Sequence, residues 1–160
     1  AEALARTGAG VVVLNAPHNH AIARDTVRRF FQAVMTEDLN RLETLLDPGA
    51  QVSSDSRGTR WQASTFWRLR FSRLDYAELG GRIVFQDSAV ETYTAEDLAA
   101  IEPFRKISVD LEPSQVLVRT PIETTTVDGH RLFGDEMAFV LAPAEKAYTI
   151  VHIVEPFSLP

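Results

Sequence analysis

The chain has 160 residues, no cysteine and a formal charge of -6, from 16 Lys and Arg against 22 Asp and Glu. That length fits one domain burying about 68–70% of its unfolded surface, and 45% hydrophobic with 24% charged residues lies outside disordered and collagen-like compositions. The acidic balance disfavours nucleic acid and anionic membranes as partners, the missing cysteines exclude thiolate zinc sites, thiol nucleophiles and disulfides, and no apolar run approaches the roughly 18 residues of a membrane span.

Residues 1–20 read as an extended arm, small and weakly patterned, whose apolar run Val11-Val12-Val13-Leu14 is cut off by Asn15 and Pro17. A start at Ala1 rather than methionine is the pattern expected when an upstream segment has been removed, so both a cytoplasmic and an exported location stay open. Lysine occurs only at positions 106 and 146, an arginine skew that fits a GC-rich bacterial genome. The domain proper is expected over residues 21–160.

Ala23, Val27, Phe30, Phe31 and Val34 follow helical spacing, with Arg24, Asp25, Arg28, Arg29 and Gln32 on the opposite face, which predicts an amphipathic helix. Thr36 with Glu37 and Asp38 behind it reads as the cap of a second helix carrying Leu39, Leu42 and Leu46, ended by Asp47-Pro48-Gly49. A short strand is expected from Ala50 to Ser54. Ser64 is placed as the cap of a third helix running to Leu79, with Trp67, Phe71 and Leu74 on one stripe, Arg68, Arg70 and Arg73 on other faces, and Gly80-Gly81 as its end. Arg82 to Gln86 reads as a strand, and Thr94-Ala95-Glu96-Asp97 as a capping box opening a helix that Pro103 stops.

Three antiparallel strands are expected over residues 114–127, 131–141 and 146–155, rich in Val, Ile, Thr and Phe. Asp128-Gly129 predicts a two-residue type I′ hairpin, because both residues tolerate positive φ. With Val127 opposite His130, Val116, Val118, Thr120 and Ile122 share a core face with Phe133, Asp135, Met137 and Phe139. The other face, with Leu117, Arg119, Glu136, Ala138 and Val140, is too apolar for open water and too charged for a core, which suits a subunit interface. Asp135 is thus expected inside. The larger alternating set Tyr148, Ile150, His152 and Val154 is also taken to face inward, bringing His152 towards Asp135 as a candidate acid and base. Trp61, Trp67, Phe71, Tyr93, Phe133, Met137 and Phe139 are the candidate walls of an apolar ligand pocket. His18-x-His20 is half of a metal site without a third ligand, so neither metal nor cofactor is expected. Arg57, Arg60, Arg68, Arg70 and Arg73 form a basic cluster that reads as a solvated helix face or a receptor for an anion.

The order of elements, with Val27-Arg28-Arg29-Phe30-Phe31-Gln32-Ala33, Asp38-Leu39-Asn40-Arg41-Leu42, Leu46-Asp47-Pro48-Gly49-Ala50-Gln51-Val52, Phe139-Val140-Leu141 and Ile150-Val151-His152, resembles the NTF2-like superfamily over residues 21–157. That superfamily includes nuclear transport factor 2, ketosteroid isomerase, scytalone dehydratase and the SnoaL-type cyclases. The resemblance implies an α+β cone with N-terminal helices packed on a curved antiparallel sheet, a pocket between them, a homodimer through the outer sheet face, and work without metal or cofactor. It places the ketosteroid isomerase base at about Ser54, one residue before Asp55, and a one-residue slip in a strand reverses the side chain, which disfavours that activity. Two functions are therefore expected: a non-enzymatic module binding a small apolar molecule or a partner chain, or a cofactor-free lyase, isomerase or cyclase using Asp135 and His152 on a hydrophobic substrate.

Overall fold

A computed structural model describes residues 18–55, 58–101, 109–145 and 147–160. The bulk of the N-terminal arm, Arg57 of the basic cluster and the Pro103 helix stop lie outside the described residues. Helix α1, His20–Met35, starts three residues before the apolar pattern does, because the Asn19 side chain accepts from the Ile22 N–H at 3.1 Å. It buries Ala23, Val27, Phe30, Phe31 and Val34, the stripe read from the sequence, together with Thr26 and Ala33. Thr36 closes α1 instead of opening the next helix, and Glu37 turns the chain with a φ of 51°. Asp38 then caps α2, Leu39–Leu45, by accepting from the Arg41 N–H at 3.0 Å.

Asp47-Pro48-Gly49 does not end a helix. It lies within strand β1, Leu46–Ser53, at a register shift between Leu46 and Gln51, where an irregular ladder tolerates proline. Strand β2, Arg60–Gln62, leads into α3, Ala63–Arg73. Gln62 rather than Ser64 stands at the cap, with no side-chain bond to a helix N–H, its Oε1 accepting instead from the Thr65 hydroxyl, while the Ser64 hydroxyl donates to Glu43 on α2. The helix stops six residues before Leu79: Leu74 is extended, and Asp75 caps a separate 3-10 turn, Tyr76–Leu79, that Gly80 closes at a φ of 57°. Arg82 to Gln86 forms no ladder strand, although the Val84 carbonyl accepts from the Glu123 N–H at 2.7 Å. A strand that the sequence did not signal, β3, Glu91–Thr94, precedes α4, Ala95–Ala99, whose capping box forms with Thr94 and Asp97 as expected.

Strands β4, Val116–Pro121, β5, Thr126–Val127, β6, His130–Arg131, β7, Glu136–Ala144, and β8, Ala147–Val154, complete the fold. The six-stranded sheet has the order β2-β1-β8-β7-β4-β3, antiparallel except where β1 runs parallel to β8, with β5 and β6 as a separate hairpin. The Asp128-Gly129 turn has φ values of 50° and 82°, and the register set at Val127↔His130 continues to Val116↔Leu141. This is an α+β architecture of helices on a curved, mostly antiparallel sheet. Phe30, Phe31, Trp67, Tyr76, Phe133, Met137 and Phe139 are fully buried between the two layers.

Candidate functional site

Asp135 is not inside. The ladder becomes irregular between β6 and β7, where the Leu132 and Phe133 N–H groups both reach the Thr125 carbonyl, at 2.8 and 3.3 Å, although the Ile122 N–H still bonds to the Asp135 carbonyl at 2.9 Å; the Asp135 carboxylate accepts from Arg131 Nη2 at 2.7 Å with its side chain 82% exposed. A solvated carboxylate beside a guanidinium avoids the desolvation that a place under the helices would impose.

His152 is turned by a different irregularity. Ala144 pairs with Ala147, so the β7–β8 turn follows Ala144, with Glu145 at a φ of 46°. Leu141 then pairs with Ile150 but Val140 with His152, leaving Val151 as the extra residue of a bulge. Ile150 and Ile153 therefore both join the core, while His152 goes to the outer face opposite Val140. Five residues separate Val140 from Asp135 along the chain, about 16 Å of strand, so the two candidate groups are not brought together. His152 Nε2 instead lies 2.8 Å from the Ser53 hydroxyl oxygen, in a buried contact. Burial, with Arg60 nearby, lowers the imidazole pKa to about 4, so the ring is neutral at pH 7. Among the described residues no third group is bonded to its other nitrogen.

The aromatic candidates separate in the same way. Trp67 meets Phe30 at 5.2 Å, Phe30 meets Phe139 at 5.2 Å, and Phe133 meets Tyr76 at 5.3 Å, most of them edge to face. Trp67, Phe133, Met137 and Phe139 thus fill the interior rather than line an opening in it. Phe71 is half-buried against Trp67 and Tyr76 at 5.8 Å from each, and Tyr93 on β3 donates to Glu91 at 2.8 Å. The Trp67 Nε1 and Thr120 Oγ1 atoms are buried without a hydrogen-bond partner among the described residues.

Of the seven, Trp61 lines a cleft of about 370 Å³ at the β2 edge of the sheet. Val52 and Ile153 form its floor, Phe66 and Leu69 of α3 one wall, and Phe157 in the segment after β8 another. Trp61 and Leu69 are 59% and 41% exposed at its rim. Its geometry depends on Arg70, which the sequence reading sent outward. Arg70 is 0% exposed: Nη1 and Nη2 donate to the Glu155 oxygens at 2.7 and 2.9 Å, Nη2 also to the Leu132 carbonyl at 2.7 Å, and Nε to the Tyr76 hydroxyl at 2.6 Å. Its guanidinium lies over the rings of Trp67 at 4.2 Å and Phe157 at 3.8 Å. Burial works against the charge, and Glu155 together with the Tyr76 hydroxyl more than offsets it, holding the pKa above the ordinary arginine value. Glu155 also accepts from the Gly134 N–H at 2.7 Å, so both ions are fully engaged. A signal for this residue was present: positions 63, 67, 70 and 74 repeat the stripe spacing of α1.

The other described arginines of the basic cluster take separate partners. Arg60 donates to Gln51 at 3.1 Å, Arg68 to Glu43 at 3.3 Å, and Arg73 to the Pro160 carbonyl at 2.9 Å. His18 and His20 also diverge, to the Pro113 carbonyl at 2.7 Å and the Thr92 hydroxyl at 3.0 Å. No cluster of three or more His, Asp or Glu among the described residues is arranged to hold a metal ion. On the outer face Leu117 and Val140 are already buried within the chain, and residues 109–112 line a second cavity of about 370 Å³ with Val140, Val151 and His152. Arg119 there donates to Glu136 at 2.6 and 3.1 Å and to Glu91 at 3.1 Å.

No protein-family model and no curated protein matches the chain. Solved structures do. Rv3472, a protein of unknown function from Mycobacterium tuberculosis, is 11% identical with a TM-score of 0.54, over 85% of this chain and 69% of that one. An NTF2-like protein of unknown function from Pseudomonas putida is 10% identical with a TM-score of 0.53, over 90% and 92%. An uncharacterised protein with a cystatin-like fold from Caulobacter vibrioides is 12% identical with a TM-score of 0.51, over 88% and 90%. At such identities the likeness is one of fold: the chain has the NTF2-like, cystatin-like cone. No helix among the described residues is long and apolar enough to cross a membrane.

Proposed function

We propose that this NTF2-like domain is a binding module that takes a small apolar molecule in the cleft between α3, β1, β8 and the segment after β8. The observation that carries this reading is the cleft itself, about 370 Å³ with Val52, Phe66, Leu69, Ile153 and Phe157 as walls, within the size and character of small-molecule sites. Exposed Trp61 and Leu69 give an entering molecule apolar surface to cover at the rim. Glu155 is held by Arg70 and Gly134, which leaves it no free proton-transfer role at the cleft. The alternative, a cofactor-free lyase, isomerase or cyclase, requires Asp135 and His152 to face one substrate. With one at the solvent beside Arg131 and the other against Ser53, binding is the better supported function.

A thermal-shift screen against apolar metabolites, sterols, polyketide-like aromatics and fatty acids tests the reading, since a ligand of the native state raises the midpoint by mass action. Hits are expected with the wild type and are expected to vanish in Leu69→Glu, a change at an exposed position that leaves folding intact. A screen without a single hit refutes the assignment. Pairing of two copies through the outer sheet face belongs to the same proposal, supported by the half-buried Ala138 and Val151 beside the Arg119 ion pairs. Light scattering that gives a monomer at micromolar concentration removes that part.

A further inference from the structure

We propose that the second cavity is a separate binding site for a small zwitterion of the α-amino acid type, its carboxylate on Arg60 and His152, its ammonium on Asp110 and Glu112, and its apolar side chain on Val140 and Val151. This site is independent of the cleft. It lies on the outer face of the sheet towards the β2 edge, away from the ion pairs of Arg119 on β4. His152 stands at its floor, 8% exposed, with Val140 and Val151 beside it. The facing wall is the segment 109–115, where the Gln115 N–H donates to the Glu112 carbonyl at 2.9 Å and His18 reaches the Pro113 carbonyl at 2.7 Å.

A buried ring with a nitrogen to spare points to a ligand here. Nε2 of His152 is 2.8 Å from the Ser53 hydroxyl oxygen, and Nδ1 has no protein partner among the described residues. With Ser53 donating, the neutral ring carries its proton on Nδ1, a donor that a carboxylate oxygen satisfies. Charge of both signs on one cavity narrows the chemistry further. Arg60 donates to Gln51 at 3.1 Å, and among the described residues no ion pair joins Arg60, Asp110 or Glu112 to a partner. A purely anionic ligand would bring its charge up to two acids, and a purely cationic one would meet Arg60, whereas a zwitterion matches both. At about 30 Å³ for each water-sized group, the cavity of about 370 Å³ has room for roughly a dozen non-hydrogen atoms, enough for leucine or phenylalanine.

Calorimetric titration tests this by comparing L-leucine with isocaproate, which is leucine without the amine, and isoamylamine, which is leucine without the carboxylate. Leucine is expected to bind about tenfold more tightly than either, with the His152 ring resonances moving on its addition. Arg60→Gln is expected to bring leucine down to the level of isoamylamine without weakening the amine itself. Asp110→Asn with Glu112→Gln is expected to bring it down to the level of isocaproate without weakening that acid. All three positions are exposed, so the variants keep the fold. Equal binding of the three compounds overturns the inference, as does leucine binding that survives both sets of substitutions or leaves the His152 resonances in place. Absence of leucine binding at millimolar concentration overturns it as well, and none of these outcomes bears on the apolar reading of the cleft.

Discussion

Replacing Arg70 by methionine removes the guanidinium while keeping an unbranched side chain of similar reach. What it strands can be followed atom by atom. The Leu132 carbonyl loses one donor and keeps another, the Tyr76 hydroxyl at 2.7 Å. Glu155 loses both of its bonds to Arg70 and keeps the one from the Gly134 N–H. The dominant effect is thus a buried carboxylate deprived of its cation, and breaking a buried pair from one side costs about 3–5 kcal/mol. The double variant Arg70→Met, Glu155→Gln removes both charges and keeps an acceptor for Gly134, so it is expected to recover at least half of that loss. Urea unfolding followed by tryptophan fluorescence gives each stability by linear extrapolation, and the difference between the double change and the sum of the singles is the coupling. A cost below about 1 kcal/mol for Arg70→Met, or strictly additive effects, would show that the pair does not anchor the segment after β8.

The remaining predictions concern the buried polar groups. His152 is held neutral with a pKa of about 4, below its ordinary 6.5, so the unfolded chain binds more protons and stability falls as pH drops from about 6.5 towards 4. The contribution is up to about 3 kcal/mol. His152→Gln is expected to flatten the profile in that window, and an unchanged profile would remove the assignment. Thr120→Val replaces a buried hydroxyl without a partner among the described residues by a methyl group, and is expected to raise stability by about 1 kcal/mol. A lower melting temperature in that variant would mean that the hydroxyl is satisfied in solution.

The legible parts of the fold were those encoded locally. The α1 stripe, the Thr94–Asp97 capping box and the Asp128-Gly129 turn each lie within a few residues, and the turn carried the β4–β7 register as far as Val116↔Leu141. What escaped depends on partners distant in sequence. The bulge at Val151 arises from how β8 meets β7, and a strict alternation along β8 therefore put His152 on the wrong side. Asp135 was misplaced because strict alternation was extended through a stretch where the ladder is irregular. Arg70 is stable inside because Glu155, 85 positions away, reaches it, a pairing that no local pattern announces. Candidate pocket residues were chosen as large aromatics, and size alone could not separate rings that fill an interior from a ring such as Trp61 that borders a cleft.

The filled interior also governs the pace of exchange. A ligand enclosed among Phe30, Trp67, Phe133 and Phe139 would come and go only when the layers part, at a rate set by local unfolding. A cleft bordered by exposed Trp61 and Leu69 needs no such opening. A molecule bound there, as proposed, would meet a standing surface, and its arrival would be set by encounter rather than by opening. Under the proposed binding role, such a cleft would suit sampling of a changing concentration more than long-term storage.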